Sequence, residues 1–242
     1  MSGKILVTGS SGYVANYIIT TMAKLYPQVT IVGLSRSGKP RFDPALLSHY
    51  PNLSYHKGDC LEPESFKDLL QDVDGCIHTV GTLIDSKDPK RSYDAMNRDT
   101  CVNVARALNE SASDSKKRMV MISSAKAPPF MPKYLTTKQE AEQFILKECP
   151  QLNPLILRPG FIYNKEHRSW SIPLFYVTEA MAQINDTVGK KLPFHSAVDF
   201  LFPAAPTKLE TVGHFAIEGV LGNLHPEQTI LGPEEFKEFE KV

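Results

Sequence analysis

Short apolar runs alternate along the chain with segments whose apolar residues recur every three or four positions. The runs, which have strand character, are residues 5–7, 30–34, 53–55, 76–80, 119–122 and 155–157. The helical spacing is clearest at Val14, Tyr17, Ile18, Met22 and Leu25, and later at Val102, Val104, Ala105 and Leu108. Strands that alternate with helices predict a parallel sheet, because each helix returns the chain to the end at which the next parallel strand starts.

Right-handed crossovers would arrange these strands in the order 3-2-1-4-5-6, which is the doubly wound α/β fold of the Rossmann class, with a ligand crevice beside the first strand. After Pro159 the pattern weakens into segments punctuated by proline. We expect helices at about 174–185 and 207–221, and a last helix that begins at Pro233. The sequence therefore predicts a single domain over residues 1–242, in which residues 164–242 contribute a small C-terminal cap on the substrate side.

Charge and composition narrow the classes of function. Lysine plus arginine equals aspartate plus glutamate at 27 each, so there is no general attraction to nucleic acid or acidic lipid. No apolar stretch reaches the ~18 to 20 residues of a membrane-spanning helix. The four cysteines show no close pairing and predict reduced, buried thiols. The histidines lack metal-ligand spacing, and we expect no metal site.

A glycine-rich turn follows the first strand directly and leads into the first helix. Its residues are Gly9, Ser10, Ser11, Gly12, Tyr13 and Val14, with Ala15 where a third glycine often stands. Backbone N–H groups at the start of a helix bind a pyrophosphate, and glycines allow it to approach closely. The turn predicts a nicotinamide dinucleotide site; the alternative is an ordinary strand-to-helix turn.

The ends of the second, third and fourth strands supply further candidate cofactor contacts. Ser35, Arg36 and Ser37 follow the second strand, where an acidic residue would have favoured NAD(H). We therefore expect NADP(H) to be preferred over NAD(H), with Arg36 on the 2′-phosphate, unless Arg36 is a solvated loop residue. The other candidates are Asp59, Cys60, Thr79, Val80 and Gly81. Asp59 faces the adenine in this interpretation, or instead caps a helix expected at 62–71.

Candidate catalytic groups follow the fifth strand. Tyr134 and Lys138 share one face of a predicted helix. A nearby ammonium stabilises tyrosinate and lowers the phenol pKa, which suits proton transfer. Lys138 also holds the nicotinamide ribose in this interpretation, and Ser123 or Ser124 polarises a substrate carbonyl. The alternative is a surface contact between Tyr134 and Lys138.

The sixth strand ends in a turn that we expect to cross the nicotinamide, formed by Pro159, Gly160 and Phe161. Arg158, just before it, is expected to hold strand ends together. His78 is interpreted as a packed or hydrogen-bonded residue and not as a base.

Taken together, these motifs resemble the atypical short-chain dehydrogenases/reductases, the epimerase/dehydratase-like group, over about residues 3–163. The matching residues are Thr8-Gly9-x-x-Gly12-x-x-Ala15, Ser123, Tyr134-x-x-x-Lys138 and Arg158-Pro159-Gly160. Residues 35–39, 122–126 and 158–161 are similar to the branch that contains the NADPH-binding accessory subunit of respiratory complex I and fungal mitochondrial members of the ubiquinone-biosynthesis complex. Asn164 stands where glycine is common in the wider family.

The resemblance implies a mitochondrial protein, peripheral at the matrix face of the inner membrane, with partners among ubiquinone-biosynthesis proteins. No cleavable presequence is visible ahead of the strand that begins at Lys4. Two functions follow. One is an NADP(H)-dependent oxidoreductase acting on a small apolar substrate, a carbonyl or quinone-pathway compound. The other is a non-catalytic NADP(H)-binding subunit that is structural in a mitochondrial enzyme complex.

Overall fold

A computed structural model describes residues 3–40, 45–112, 115–127, 130–164, 204–224 and 229–240. Its strands are β1 (Lys4–Thr8), β2 (Thr30–Ser35), β3 (Leu53–Lys57), β4 (Gly75–His78), β5 (Lys117–Ile122), β6 (Leu152–Leu157), β7 (Ile162–Tyr163), β8 (Thr207–Lys208) and β9 (Ile230–Leu231). Its α-helices are α1 (Tyr13–Leu25), α2 (Leu46–His49), α3 (Thr100–Glu110), α4 (Pro132–Glu148), α5 (Leu209–Leu221) and α6 (Pro233–Phe239). The helix expected at 174–185 lies outside the described residues.

The main sheet is parallel, with the order β3-β2-β1-β4-β5-β6-β9. This confirms the predicted α/β fold and the predicted order of the first six strands. The sequence pattern missed β9, whose two residues pair with Ile156 and Leu157 at the edge of the sheet. A two-residue strand carries no readable alternation, so only the completed sheet edge reveals it.

Successive residues of β1 point into two separate cores, as the pleat of a strand requires. Ile5 and Val7 pack in the core that α1 and α5 cover. Leu6 packs in the opposite core, which α3 and α4 cover. Burial of these two apolar faces fixes the register of the sheet and brings the carboxyl ends of β1, β4 and β5 to one edge. None of the described helices is long and apolar enough to cross a bilayer.

Three local expectations differ from the structure. Leu25, expected on the apolar face of the first helix, is 61% exposed at the last turn. The helix expected at 62–71 is instead two short 3-10 turns, Pro63–Ser65 and Lys67–Leu70, since Phe66 leaves helical geometry at φ −144°. The helix expected at 207–221 begins at Leu209, because Thr207 and Lys208 form β8, and its Val212, Ala216 and Val220 belong to the core beside α1. The single-domain boundary with a cap from residue 164 remains a prediction.

Candidate functional site

The glycine-rich turn has the geometry that a bound diphosphate needs. Gly9 has φ +74°, and a Cβ there would lie 2.8 Å from Thr79 Oγ1 and 3.1 Å from the Val80 amide nitrogen. A Cβ on Gly12 would lie 3.0 Å from the carbonyl oxygen of Gly9. Helix α1 begins directly after Gly12, without a side-chain cap and without an acidic residue in its first turn. Its first N–H groups and its dipole therefore suit an anion.

A cleft of about 180 Å³ opens beside this turn at the carboxyl edge of the sheet. Ten residues predicted to bind the cofactor line it: Gly9, Ser11, Gly12, Ser35, Arg36, Asp59, Cys60, Thr79, Val80 and Gly81. Four others were not predicted: Leu34, Gly58, Met96 and Thr100. The structure therefore brings together residues from the ends of four strands, which the positions of their motifs had indicated.

Ser10, Tyr13, Val14 and Ser37 lie outside this lining. Ser10 is buried, and its amide donates to the carbonyl oxygen of Leu34 at 3.0 Å, so it ties the turn to β2. Ser37 is exposed, with its Oγ 3.2 Å from the Ser35 Oγ, so it supports the loop after β2. These predicted contacts with a dinucleotide remain predictions.

Two exposed cations lie at neighbouring strand ends next to the cleft, one after β2 and one at the end of β3. Arg36 is exposed and lines the cleft. Lys57 is exposed at the end of β3, opposite Ser35 in the register. Gly38 has φ +63° and packs against the Lys57 backbone, where a Cβ would come within 2.9 Å of the Lys57 amide nitrogen. The two strand ends thus bring Arg36 and Lys57 to neighbouring positions.

Asp59 lines the cleft and also organises its own loop. Its Oδ1 accepts a hydrogen bond from the amide of Leu61 at 3.0 Å. The carboxylate therefore closes a short turn instead of capping a long helix. Cys60 beside it is buried, and burial raises the pKa of its thiol to about 12. All four cysteines are buried and none is in a disulfide, so the expected buried thiols are present.

Tyr134 and Lys138 lie one turn apart on α4, as predicted. Lys138 is 5% exposed, and its Nζ donates to the carbonyl oxygen of Ile122 at 2.9 Å. Burial lowers the pKa of Lys138 to about 8, against the opposing effects of Cys101 and Glu142. A Cβ on Gly81, three residues after β4, would lie 3.2 Å from the same Nζ, which is closer than an ordinary van der Waals contact.

Tyr134 packs against the ring of Tyr93 and meets the hydroxyl of Ser124. The Tyr93 and Tyr134 rings lie edge to face with centroids 5.8 Å apart. Burial raises the pKa of Tyr134, while its hydrogen bond with Ser124 opposes the rise. The expected lowering of this phenol pKa by Lys138 is therefore wrong for this structure, because desolvation of the ring dominates and the ammonium is directed to Ile122.

The two serines at the end of β5 have different surroundings. Ser123 is buried and its Oγ donates to the carboxylate of Glu142. Ser124 is half-buried, and its Oγ donates to the carbonyl oxygen of Lys126 at 2.9 Å. Of the two predicted candidates, Ser124 is the one beside Tyr134, while Ser123 faces the protein interior.

Arg158 and the turn after it connect strand ends. The Nε of Arg158 lies 3.1 and 3.2 Å from the two carboxylate oxygens of Glu142, in the structural role expected of it. The carbonyl oxygen of Pro159 accepts from the Ala125 amide at 3.0 Å. Gly160 lies so close to Ala205 that a Cβ would overlap its carbonyl oxygen, and the Phe161 carbonyl accepts from Thr207. The turn therefore packs on residues 204–208, outside the described cleft.

His78 is a packed residue, as expected. Its Nδ1 lies 2.8 Å from Thr8 Oγ1, and burial together with Lys138 lowers its pKa to about 3. Asn97 is a buried residue that sequence patterns missed. It lies in a π-helix, Asp94–Asp99, and its side chain accepts from the Thr82 amide at 2.8 Å and donates to the Thr82 carbonyl at 3.2 Å. Asn97 thereby fixes the chain just after Gly81.

Comparison with known proteins assigns this fold and site to a family. The model of the NAD dependent epimerase/dehydratase family matches residues 5–155, which is more than half of the chain. The chain therefore belongs to the NAD dependent epimerase/dehydratase family, in agreement with the resemblance to atypical short-chain dehydrogenases/reductases.

Individual relatives are distant. MIOREX complex component 2 of Saccharomyces cerevisiae is 23% identical over 224 residues, which cover 75% of this chain and 80% of the yeast protein. Vestitone reductase from alfalfa superposes with a TM-score of 0.63 at 17% identity, covering 95% of this chain and 76% of the other. WbmG of Bordetella bronchiseptica, solved with NAD, superposes with a TM-score of 0.57 at 18% identity over 73% of this chain. This chain spans 59% of the length of WbmG, and both structures support the fold alone.

Proposed function

We propose that the protein is an NADP(H)-dependent oxidoreductase of the short-chain dehydrogenase type. The observation that carries the proposal is the buried ammonium of Lys138, which lies one turn from Tyr134 on α4 and beside Gly81, a residue that lines the glycine-rich cleft. A nicotinamide dinucleotide bound along that cleft would supply or accept the hydride. The uncapped start of α1 and the crowded Gly9 support binding of its diphosphate.

The chain's own residues would handle the proton and the orientation of the substrate. The Tyr134 hydroxyl would donate its proton to the carbonyl oxygen of the substrate in the direction of reduction, and accept it back in oxidation. The Ser124 hydroxyl would hydrogen-bond the same oxygen and hold it beside the phenol. Lys138 would hold the ribose that carries the nicotinamide.

We further propose that the cofactor is NADP(H) in preference to NAD(H). Arg36 and Lys57 place positive charge at the end of β2, where the 2′-phosphate of the adenosine would lie, and Ser35 and Ser37 add hydroxyl donors. Asp59 lines the same cleft and would face the adenine amino group.

The substrate class and setting rest on the resemblance. We propose a small apolar carbonyl or quinone-pathway compound, and a role in or in support of mitochondrial ubiquinone biosynthesis, peripheral at the matrix face of the inner membrane. The test is stereospecifically deuterated NADPH with a panel of apolar carbonyl compounds and quinones. Deuterium should appear in a product with the wild type and be lost with Tyr134→Phe, while NADPH affinity is retained.

A non-catalytic role is the second candidate, favoured by the relative named as a component of a complex and by the raised pKa of Tyr134. In that role the dinucleotide would stabilise the folded subunit by mass action alone. Full rescue of ubiquinone levels in a deletion strain by Tyr134→Phe would support this structural role. Loss of rescue with retained NADPH binding and retained protein level would support the enzyme.

A further inference from the structure

Glu142 is a buried carboxylate one turn after Lys138 on α4. It is 1% exposed, and both carboxylate oxygens accept hydrogen bonds from the guanidinium of Arg158. Its Oε1 also accepts from the hydroxyl of Ser123. A carboxylate so deeply buried is stable only when its oxygens are paired in this way, and removal of its partners would leave an uncompensated charge.

These contacts join three elements around the candidate catalytic pair. Ser123 follows β5, Arg158 follows β6, and the Ser123 amide also donates to the carbonyl oxygen of Leu157 at 2.7 Å. Lys138 holds the neighbouring residue of the same strand end, Ile122, through its Nζ. The end of β5 is therefore fixed to α4 at two consecutive residues, by an ammonium at Ile122 and a carboxylate at Ser123.

The fixed strand end determines which serine meets the tyrosine. Because Glu142 engages the Ser123 hydroxyl, the chain is fixed directly before Ser124, whose hydroxyl interacts with Tyr134. Tyr134 lies one turn before Lys138 and two turns before Glu142 on the same helix face.

We propose that Glu142 is a positioning residue that orients the end of β5 so that Ser124 meets Tyr134, and that provides the negative charge that balances the ammonium of Lys138. The inference rests on the proposed function, since it assigns Glu142 a part in preparing that same site.

The charged groups that face Lys138 come from several elements. Cys101 of α3 and Glu142 of α4 both raise the pKa of Lys138 against the effect of burial. His78 of β4 is neutral at physiological pH because its pKa is about 3, and Arg158 is itself paired with Glu142. Burial raises the pKa of the Cys101 thiol to about 12, so it is uncharged near neutrality. Glu142 is therefore the carboxylate in this set, and it raises the pKa of Lys138.

The direct test measures the titration of Lys138 in the full chain by NMR, with ¹³C at the lysine Cε and the signal assigned by its absence in Lys138→Met. Glu142→Gln keeps the shape of the side chain and removes its charge, and should lower the pKa of Lys138 by about one pH unit. Glu140→Gln is the matched control, because Glu140 lies on the same helix but is exposed and pairs with Arg98. It should leave the titration of Lys138 unchanged.

A Lys138 pKa that is the same in Glu142→Gln and Glu140→Gln would overturn the proposal. If Glu142→Gln does not fold because Arg158 is left unpaired, the double variant Glu142→Gln, Arg158→Met removes both charges. It should still lower the pKa of Lys138, but by less, because loss of the cation partly offsets loss of the carboxylate. The titration of Lys138 needs no turnover, so it tests the role of Glu142 separately from the proposed oxidoreductase activity. Failure of hydride transfer in the wild type would refute the proposed function, whereas an unshifted Lys138 would refute the role of Glu142.

Turnover gives the second readout once a substrate is in hand. Glu142→Gln should lower kcat about tenfold or more with little change in the KM for NADPH, and Glu142→Asp should restore part of the loss because it returns the charge. Equal kcat for Glu142→Gln and the wild type would contradict a positioning role.

Discussion

The ammonium of Lys138 donates a hydrogen bond to the main-chain oxygen of Ile122 at 2.9 Å, so a buried cation on α4 holds the last residue of β5. This contact brings Tyr134 on the same helix to Ser124, two residues beyond Ile122. The polar groups of the site are thus arranged by the packing of one helix on one strand end, and this geometry leads to the following predictions.

The burial of Lys138 should make stability depend on pH. Its pKa is about 8 in the folded protein and near its ordinary value of 10.5 in the unfolded chain, so folding favours the neutral form. The free-energy cost of burying Lys138 is absent well above pH 10.5. It grows as the pH falls from 10.5 to 8 and is constant below pH 8. Urea unfolding measures this cost as the unfolding free energy of the wild type minus that of Lys138→Met. The difference should fall by about 2 to 3 kcal/mol between pH 10 and pH 7. A difference independent of pH would contradict the burial of a charged Lys138.

The two serines after β5 should respond differently to removal of their hydroxyls. Ser124→Ala should lower kcat/KM about 100-fold, because it removes the donor beside Tyr134. Ser123→Ala should cost about 1 kcal/mol of unfolding free energy, because it breaks the bond to Glu142. It should lower kcat/KM less than Ser124→Ala does, because it loosens the strand end but leaves the Ser124 hydroxyl and the bond from the Ser123 amide to Leu157 in place. Thermal unfolding and steady-state kinetics on the matched pair measure both effects. A reversal of the two phenotypes would show that the serine roles are assigned incorrectly.

Gly9 should tolerate no side chain. In Gly9→Ala the methyl group would crowd Thr79 and Val80, and a left-handed backbone costs an alanine about 1 to 2 kcal/mol. We expect loss of stability by at least that amount and loss of NADPH binding, measured by thermal unfolding and isothermal titration calorimetry. Gly232→Ala is the control, since a Cβ there meets its nearest atom at 3.6 Å, an ordinary contact. Wild-type affinity in Gly9→Ala would place the dinucleotide elsewhere.

Arg36 should discriminate between the two dinucleotides. Arg36→Ala should weaken NADPH binding about tenfold or more and leave NADH binding nearly unchanged, because a charge-assisted contact with the 2′-phosphate is removed. Lys24→Ala, a lysine in the last turn of α1, serves as a charge-matched control. Equal loss of affinity for NADPH and NADH would indicate that Arg36 stacks on the adenine and does not select the phosphate.

Much of the architecture could be predicted from local signals. The strand order follows from apolar runs that alternate with helical spacing, and the position of Gly9 and Gly12 between a strand and a helix identifies the cleft. Spacing by four placed Tyr134 and Lys138 on one helix face. These features depend on sequence neighbours, so a single sequence is enough to find them.

The remainder depends on contacts between distant parts of the chain. Asn97 and Met96 reach the site because a π-helix forms there, held partly by Arg98 and its ion pairs with Asp94 and Glu140. Which of the two serines lies beside Tyr134 depends on the contacts of the strand end with Arg158 and Glu142. Glu142 did carry a sequence signal, since it continues the spacing of Tyr134 and Lys138 by another four residues.

The central claim is that the amides at the start of α1 bind the diphosphate of a nicotinamide dinucleotide. The most direct measurement is a thermal-unfolding titration of the wild-type protein with NADPH, NADP, NADH and NAD. Saturating NADPH or NADP should raise Tm more than NADH or NAD, because a ligand that binds only the folded state stabilises it. A correctly folded protein whose Tm is unaffected by all four nucleotides at millimolar concentration would show that this turn does not bind a dinucleotide.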